Sequence, residues 1–129
     1  MPGRKQKCPA ETTLRVIGGR WKTLLLYHLF QGVKRFSELQ HTIDGISQKV
    51  LTQQLRELER DGIVHREVFP QVPPRVEYSL TSLGESLKPV IDEMCRWGVM
   101  FDLRHASGEE VQAYAGDVKS MKSRTAVAS

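Results

Sequence analysis

Lys49, Thr52, Gln53, Arg56 and Arg60 recur along one stretch of chain at helical spacing, with Leu51, Leu55 and Leu58 set between them. On a 3.6-residue period the leucines form one apolar stripe, and the polar set projects from the opposite side. The chemistry of that polar face is donation to anions and to base edges. Arg and Lys donate to phosphates or to guanine O6 and N7, and Gln pairs with adenine N6 and N7. The first acid of the segment is Glu57, although the positive end of a helix dipole favours carboxylates in the opening turn. The pattern suits double-stranded DNA. The plainer alternative is an amphipathic helix with a solvated outer side.

Other chemistry-bearing residues are scattered. Cys8 precedes Pro9 at an expected helix start and follows Arg4, Lys5 and Lys7. A helix N-terminus and nearby cations activate a thiol towards oxidants and electrophiles. The alternative for Cys8 is a small packed hydrophobe, and for Cys95, in an apolar stripe, packing is the first reading. Arg20 and Lys22 flank Trp21 at the start of a helix, where backbone N–H groups favour a phosphate. Trp21 itself reads as core before it reads as a stacking platform. Arg75 follows Pro73 and Pro74, which leave it little freedom to lose on docking, so it is a candidate for a minor-groove or phosphate contact. A solvated strand end is the competing view. Lys34 and Arg35 stand before a short helix as backbone contacts or a solvated pair. His28, His41, His65 and His105 form no metal-ligand spacing, so no metal or cofactor is expected. No nucleophile triad or phosphate-cradling loop is present to suggest an enzyme.

The elements that must position these residues follow from periodicity. A chain of 129 residues, 40% hydrophobic, suffices for one core. Its net charge of +4 rests on 19 bases against 15 acids, so the bias toward polyanions is local. The longest apolar run, residues 24–30, contains His28 and is far short of the roughly 20 residues of a membrane span. No export signal is evident in the basic start, which makes a cytoplasmic location the expectation. Two cysteines without CxxC spacing fit neither a disulfide scaffold nor a zinc site.

Pro9 to Ile17 predicts a first helix, ended by Gly18-Gly19. Trp21, Leu24, Leu25, His28 and Leu29 predict a second with Gly32 as its cap, and Phe36, Leu39 and Ile43 a third, closed by Asp44-Gly45. Ser47 is a good N-cap for the fourth, the segment that carries Lys49 and Arg56, and Ile46 can staple onto Leu51. After Asp61-Gly62, Val64, Arg66 and Val68 alternate with His65, Glu67 and Phe69. Val76, Tyr78 and Leu80 answer them across the loop from Pro70 to Pro74, giving a two-stranded ribbon. Two helices joined by a glycine turn and followed by a ribbon make a winged helix-turn-helix, mainly α with a small β-wing. Thr81 caps a long last helix in which Leu87, Ile91, Met94, Trp97 and Phe101 share a side, bent or broken at Pro89. That stripe exceeds what the remaining core can cover, so a second copy of the chain is expected against it. Residues 1–105 are read as one DNA-binding and dimerisation domain. Residues 106–129 are read as a flexible tail, with a helix near Val111 to Tyr114 left open.

Several motifs in fixed order resemble the HxlR-type regulators, bacterial winged-helix transcription factors of MarR-like architecture. They are Cys8-Pro9, Gly18-Gly19-Arg20-Trp21-Lys22, Arg35-Phe36-Ser37-Glu38-Leu39, Gly45-Ile46-Ser47-Gln48-Lys49, the run from Leu51 to Glu59, Val72-Pro73-Pro74-Arg75-Val76-Glu77-Tyr78, and Trp97-Gly98. Asp44 stands where many members carry proline, and an Asp-Gly turn serves equally well. The resemblance implies a homodimeric, sequence-specific regulator of transcription. It implies that the fourth helix is the recognition helix, with Ser47, Gln48, Lys49, Thr52, Gln53 and Arg56 reaching bases or phosphates. It also implies that a cysteine in the position of Cys8 senses oxidants or electrophiles. A protein-interaction module on the same fold is the alternative, and the polar face of the fourth helix discriminates between them.

Overall fold

A computed structural model describes residues 8–106. Arg4, Lys5 and Lys7, and the expected tail from 107 with its segment 111–114, lie outside the described residues. The element order is α1 (Pro9–Ile17), α2 (Lys22–Leu29), β1 (Lys34–Arg35), α3 (Phe36–Thr42), α4 (Gln48–Arg60), β2 (Val64–Phe69), β3 (Arg75–Leu80), α5 (Ser82–Glu85) and α6 (Lys88–His105). The chain forms two compact units, one ending at Ser86 and one beginning at Leu87.

In the first unit, helices α2, α3 and α4 gather around a core of Leu25, Leu26, Leu29, Leu39, Ile43, Ile46, Leu51, Leu55 and Leu58, closed by Ile63, Val64 and Tyr78 from the sheet side. Each fully buried leucine contributes about 1.5–3 kcal/mol relative to its exposed state. Turns fix the angles between helices. Gly45 takes φ +83° after α3 and Gly62 φ +77° after α4, conformations that a side chain strains. Ser47 caps α4 as expected, its Oγ accepting the Val50 N–H at 3.1 Å.

The wing differs from the expected two-stranded ribbon. The short strand β1 pairs antiparallel with β3, placing Lys34 opposite Tyr78 and Arg35 opposite Glu77, so the sheet has three strands in the order β1-β3-β2. In β2 the expected alternation holds at Val64 alone. Val68 is 46% exposed and Arg66 is exposed as well. Thr81 ties the wing base to α5: its hydroxyl donates to the Gly62 carbonyl at 2.6 Å and accepts the Gly84 N–H at 3.0 Å. Gly84 has no Cβ to collide with the Ile63 carbonyl, which lies 2.2 Å from where one would sit. In α2 the buried face is Leu25, Leu26 and Leu29, whereas Leu24, expected in the stripe, is 42% exposed.

The expected last helix is broken rather than bent. A short α5 ends at Glu85, and α6 starts afresh with Pro89 in its first turn, where the missing N–H costs nothing. Within α6, Lys88 Nζ lies 2.8 Å from Asp92 Oδ2, and Glu93 pairs with Arg96. Ile91, expected on the surface that meets a second copy, is buried in the single chain. Met94, Trp97 and Phe101 remain exposed, joined by Val90 and Met100. The Trp97 and Phe101 rings stack at 5.3 Å, and Phe101 stacks on His105 at 4.4 Å. Among the described residues no helix is long and apolar enough to cross a membrane.

Candidate nucleic-acid interface

Helix α4 turns one side into the core and presents the other to an open concavity of about 1040 Å³. The six residues expected to reach bases or phosphates all line it: Ser47, Gln48, Lys49, Thr52, Gln53 and Arg56. Arg60 and Glu57 complete the lining. Ser47 uses an oxygen lone pair as the N-cap, which leaves its O–H to donate elsewhere. Thr52, expected among the residues that reach bases or phosphates, has its hydroxyl proton committed to its own helix. Its Oγ1 donates to the Gln48 carbonyl at 2.8 Å, so in this rotamer the hydroxyl offers an acceptor. Gln48, Lys49, Gln53 and Arg56 are exposed and supply the donors.

Lys22 corrects the sequence reading most clearly. Its backbone place at the head of α2 is as expected, but the residue is only 7% exposed and its Nζ lies 3.6 Å from Glu57 Oε2. An ammonium committed inward is not presented to a phosphate. Arg20 stays outside, its guanidinium 4.5 Å from the centroid of the Trp21 ring, and Trp21 is half-buried, partly core and partly platform.

The wing brings Arg35 and Arg75 to one recess of about 330 Å³ beside Ser37 and Gln71. Arg75 is held by its own hairpin. Its guanidinium lies 4.1 Å from the Phe69 ring centroid and its Nε 3.3 Å from Glu77 Oε2. Phe69 and Arg75 are direct cross-strand partners, so the register itself creates the stack. A second recess of about 440 Å³ joins α4 to the sheet and places Arg66 with Gln48 and Arg56. Arg66 was missed as a site residue; its signal is a charge on the register of β2 otherwise held by valines.

Cys8 is exposed at the N-cap of α1, directly before Pro9. Cys95 on α6 is half-buried, and burial, helped by the Asp92 carboxylate, pushes its thiol above the usual range. The two cysteines are thus in opposite environments. Among the described residues no cluster of His, Cys, Asp and Glu could hold a metal ion.

A helix cluster with a capped, acid-poor fourth helix and a three-stranded wing beside it defines a winged helix-turn-helix protein. Residues 16–106 match the HxlR-like helix-turn-helix model, and the chain belongs to that family of transcriptional regulators, which are not enzymes. YdeP of Bacillus subtilis (strain 168), an uncharacterized HTH-type transcriptional regulator, is 62% identical over 91 residues, spanning 70% of this chain and 71% of its own. The redox regulator HypR in its oxidized form is 58% identical, with a TM-score of 0.68 over 70% of this chain and 94% of that one. The reduced form of YodB from B. subtilis is 42% identical, with a TM-score of 0.66 over 74% of this chain and 95% of that one.

Proposed function

We propose that this regulator binds double-stranded DNA as a homodimer on a pseudo-palindromic operator and that Cys8 tunes that binding in response to an oxidant or electrophile. The observation that carries the DNA reading is the outer side of α4, where Gln48, Lys49, Gln53 and Arg56 stand exposed on a helix with no acid in its first turn. Arg56 and one of the glutamines read base edges, and Lys49 and Ser47 hold phosphates and set the register. Arg75 and Arg35 reach the flanking backbone or minor groove from the wing, and Arg20 does so from the head of α2. The exposed stripe of Met94, Trp97 and Phe101 is the surface that meets the second copy, with Leu87 at its half-buried edge. Two recognition helices related by a two-fold axis then enter successive major grooves about 34–36 Å apart. The redox reading draws on the exposed thiol at a helix start and on the naming of HypR as a redox regulator.

Selecting bound duplexes from a random pool, with and without mild oxidant, tests both parts. A consensus with inverted half-sites is expected for wild type, with affinity that falls steeply with salt. Oxidant is expected to shift that affinity in wild type and not in Cys8→Ser. A direct-repeat or absent consensus overturns the operator reading, and an equal response in the two proteins removes Cys8.

A further inference from the structure

Among the described residues, Lys22 is the one buried charged side chain. Its ammonium lies 3.6 Å from Oε2 of Glu57, the single acid that lines the concavity of α4. The same oxygen accepts a hydrogen bond from Gln54 Nε2 at 3.3 Å. Glu57 therefore occupies the edge of a surface otherwise made of bases, amides and hydroxyls, and its charge is drawn back by a cation that is itself 9% exposed in its side chain. A carboxylate left uncompensated there would repel polyanionic DNA across the open concavity, an effect that salt screens.

We propose that Lys22 is a positioning residue for the DNA interface: it neutralises and restrains Glu57, so that the concavity along α4 carries no uncompensated negative charge. It acts through Glu57 and touches no DNA. The inference rests on the reading of α4 as the DNA-contacting helix. It also explains why α4 tolerates an acid in its third turn while its first turn has none. The pair joins the first residue of α2 to α4, so the restraint acts on the helix that must enter the groove.

The probe is a labelled mixed-sequence duplex, roughly 30 base pairs long to hold two half-sites one turn apart. Binding is measured by anisotropy at low and at raised salt, with folding checked by circular dichroism. Lys22→Met is expected to bind about fivefold to tenfold more weakly than wild type at low salt, with the gap closing as salt rises. Lys22→Arg is expected to stay within about threefold of wild type, because the charge is kept. The double variant Lys22→Met with Glu57→Gln is expected to recover binding to within the same margin. That recovery separates charge compensation from mere packing, and the double variant still decides the matter should the single one fail to fold. A folded double variant that binds as weakly as Lys22→Met, or more than about fivefold below wild type, overturns the proposal. So does a Lys22→Met protein that binds as wild type does. Wild-type protein with no affinity for any duplex overturns the DNA reading itself, an outcome distinct from both.

Discussion

Helices α4 and α6 carry comparable apolar stripes and dispose of them in opposite ways. Leu51, Leu55 and Leu58 of α4 are at most 1% exposed, so that helix is fixed by its greasy side and offers its polar one. On α6 the apolar residues are the offered side, with Trp97 60% exposed and Phe101 47%. The difference is one of cover rather than of composition. Where the chain supplies a facing layer, the stripe becomes core, and where it supplies none, the stripe stays exposed. On the proposed function, the first arrangement displays chemistry for nucleic acid, and the second displays area for a second copy of the chain.

The sharpest way to break that contrast is to shrink one residue on each helix. Leu55→Ala leaves a cavity in a region with little room to collapse and is expected to destabilise the fold by about 2–5 kcal/mol, read from urea unfolding. A loss below about 1 kcal/mol would mean that α4 is not anchored as its burial indicates. Trp97→Asp acts on the other side of the contrast. It is expected to weaken self-association by about 2 kcal/mol or more, roughly thirtyfold in dissociation constant, measured by sedimentation across a dilution series. An unchanged association constant would detach α6 from dimerisation, and the stripe would then need another occupant.

Much of this arrangement was legible in the residues because the rules that build it are local. The stretch from Ser47 to Gly62 contains its own cap, period and stop, and the structure places α4 at Gln48–Arg60 with Ser47 as the N-cap. The break before α6 was half legible: Pro89 announces it, but whether a proline bends a helix or opens a new one depends on the residues around it. The rest required partners distant in sequence. Strand β1 has two residues, too few for any period, and exists because Glu77 and Tyr78 pair with it. Leu24, Leu25 and Leu26 are consecutive leucines, so the pattern could not tell which of them faces the core. Lys22 read as a surface cation because its partner, Glu57, lies on another helix. Ile91 fell on the same stripe as Trp97, yet the chain buries the one and exposes the other.

A smaller test probes how α4 is started rather than how it is held. The Ser47 hydroxyl accepts the Val50 N–H at 3.1 Å, and Ser47→Ala leaves that donor to water. The expected loss is about 1 kcal/mol, whereas Ser47→Gly should lose only a few tenths, both read from thermal unfolding. Equal losses for the two variants would show that the backbone of the turn sets the helix start and that the hydroxyl serves only the interface.

The smallest effect concerns a residue between the two extremes. His28 on α2 is half-buried, and burial, followed by repulsion from Lys34, pulls its pKa below the ordinary value of 6.5. The folded protein thus prefers the neutral imidazole. Between the lowered folded value and 6.5 the unfolded chain binds more protons than the folded one, so stability rises with pH through that window. The contribution of His28 is therefore complete above 6.5 and is lost progressively as pH falls towards and through the folded value. Urea midpoints between pH 7.5 and pH 5, taken on wild type and on His28→Gln, isolate the term, since about every carboxylate contribution is shared by the two proteins. The wild-type curve should fall more steeply on acidification. Parallel curves would mean that His28 is as solvated as a surface residue, and that the cover α2 receives stops at Leu25, Leu26 and Leu29.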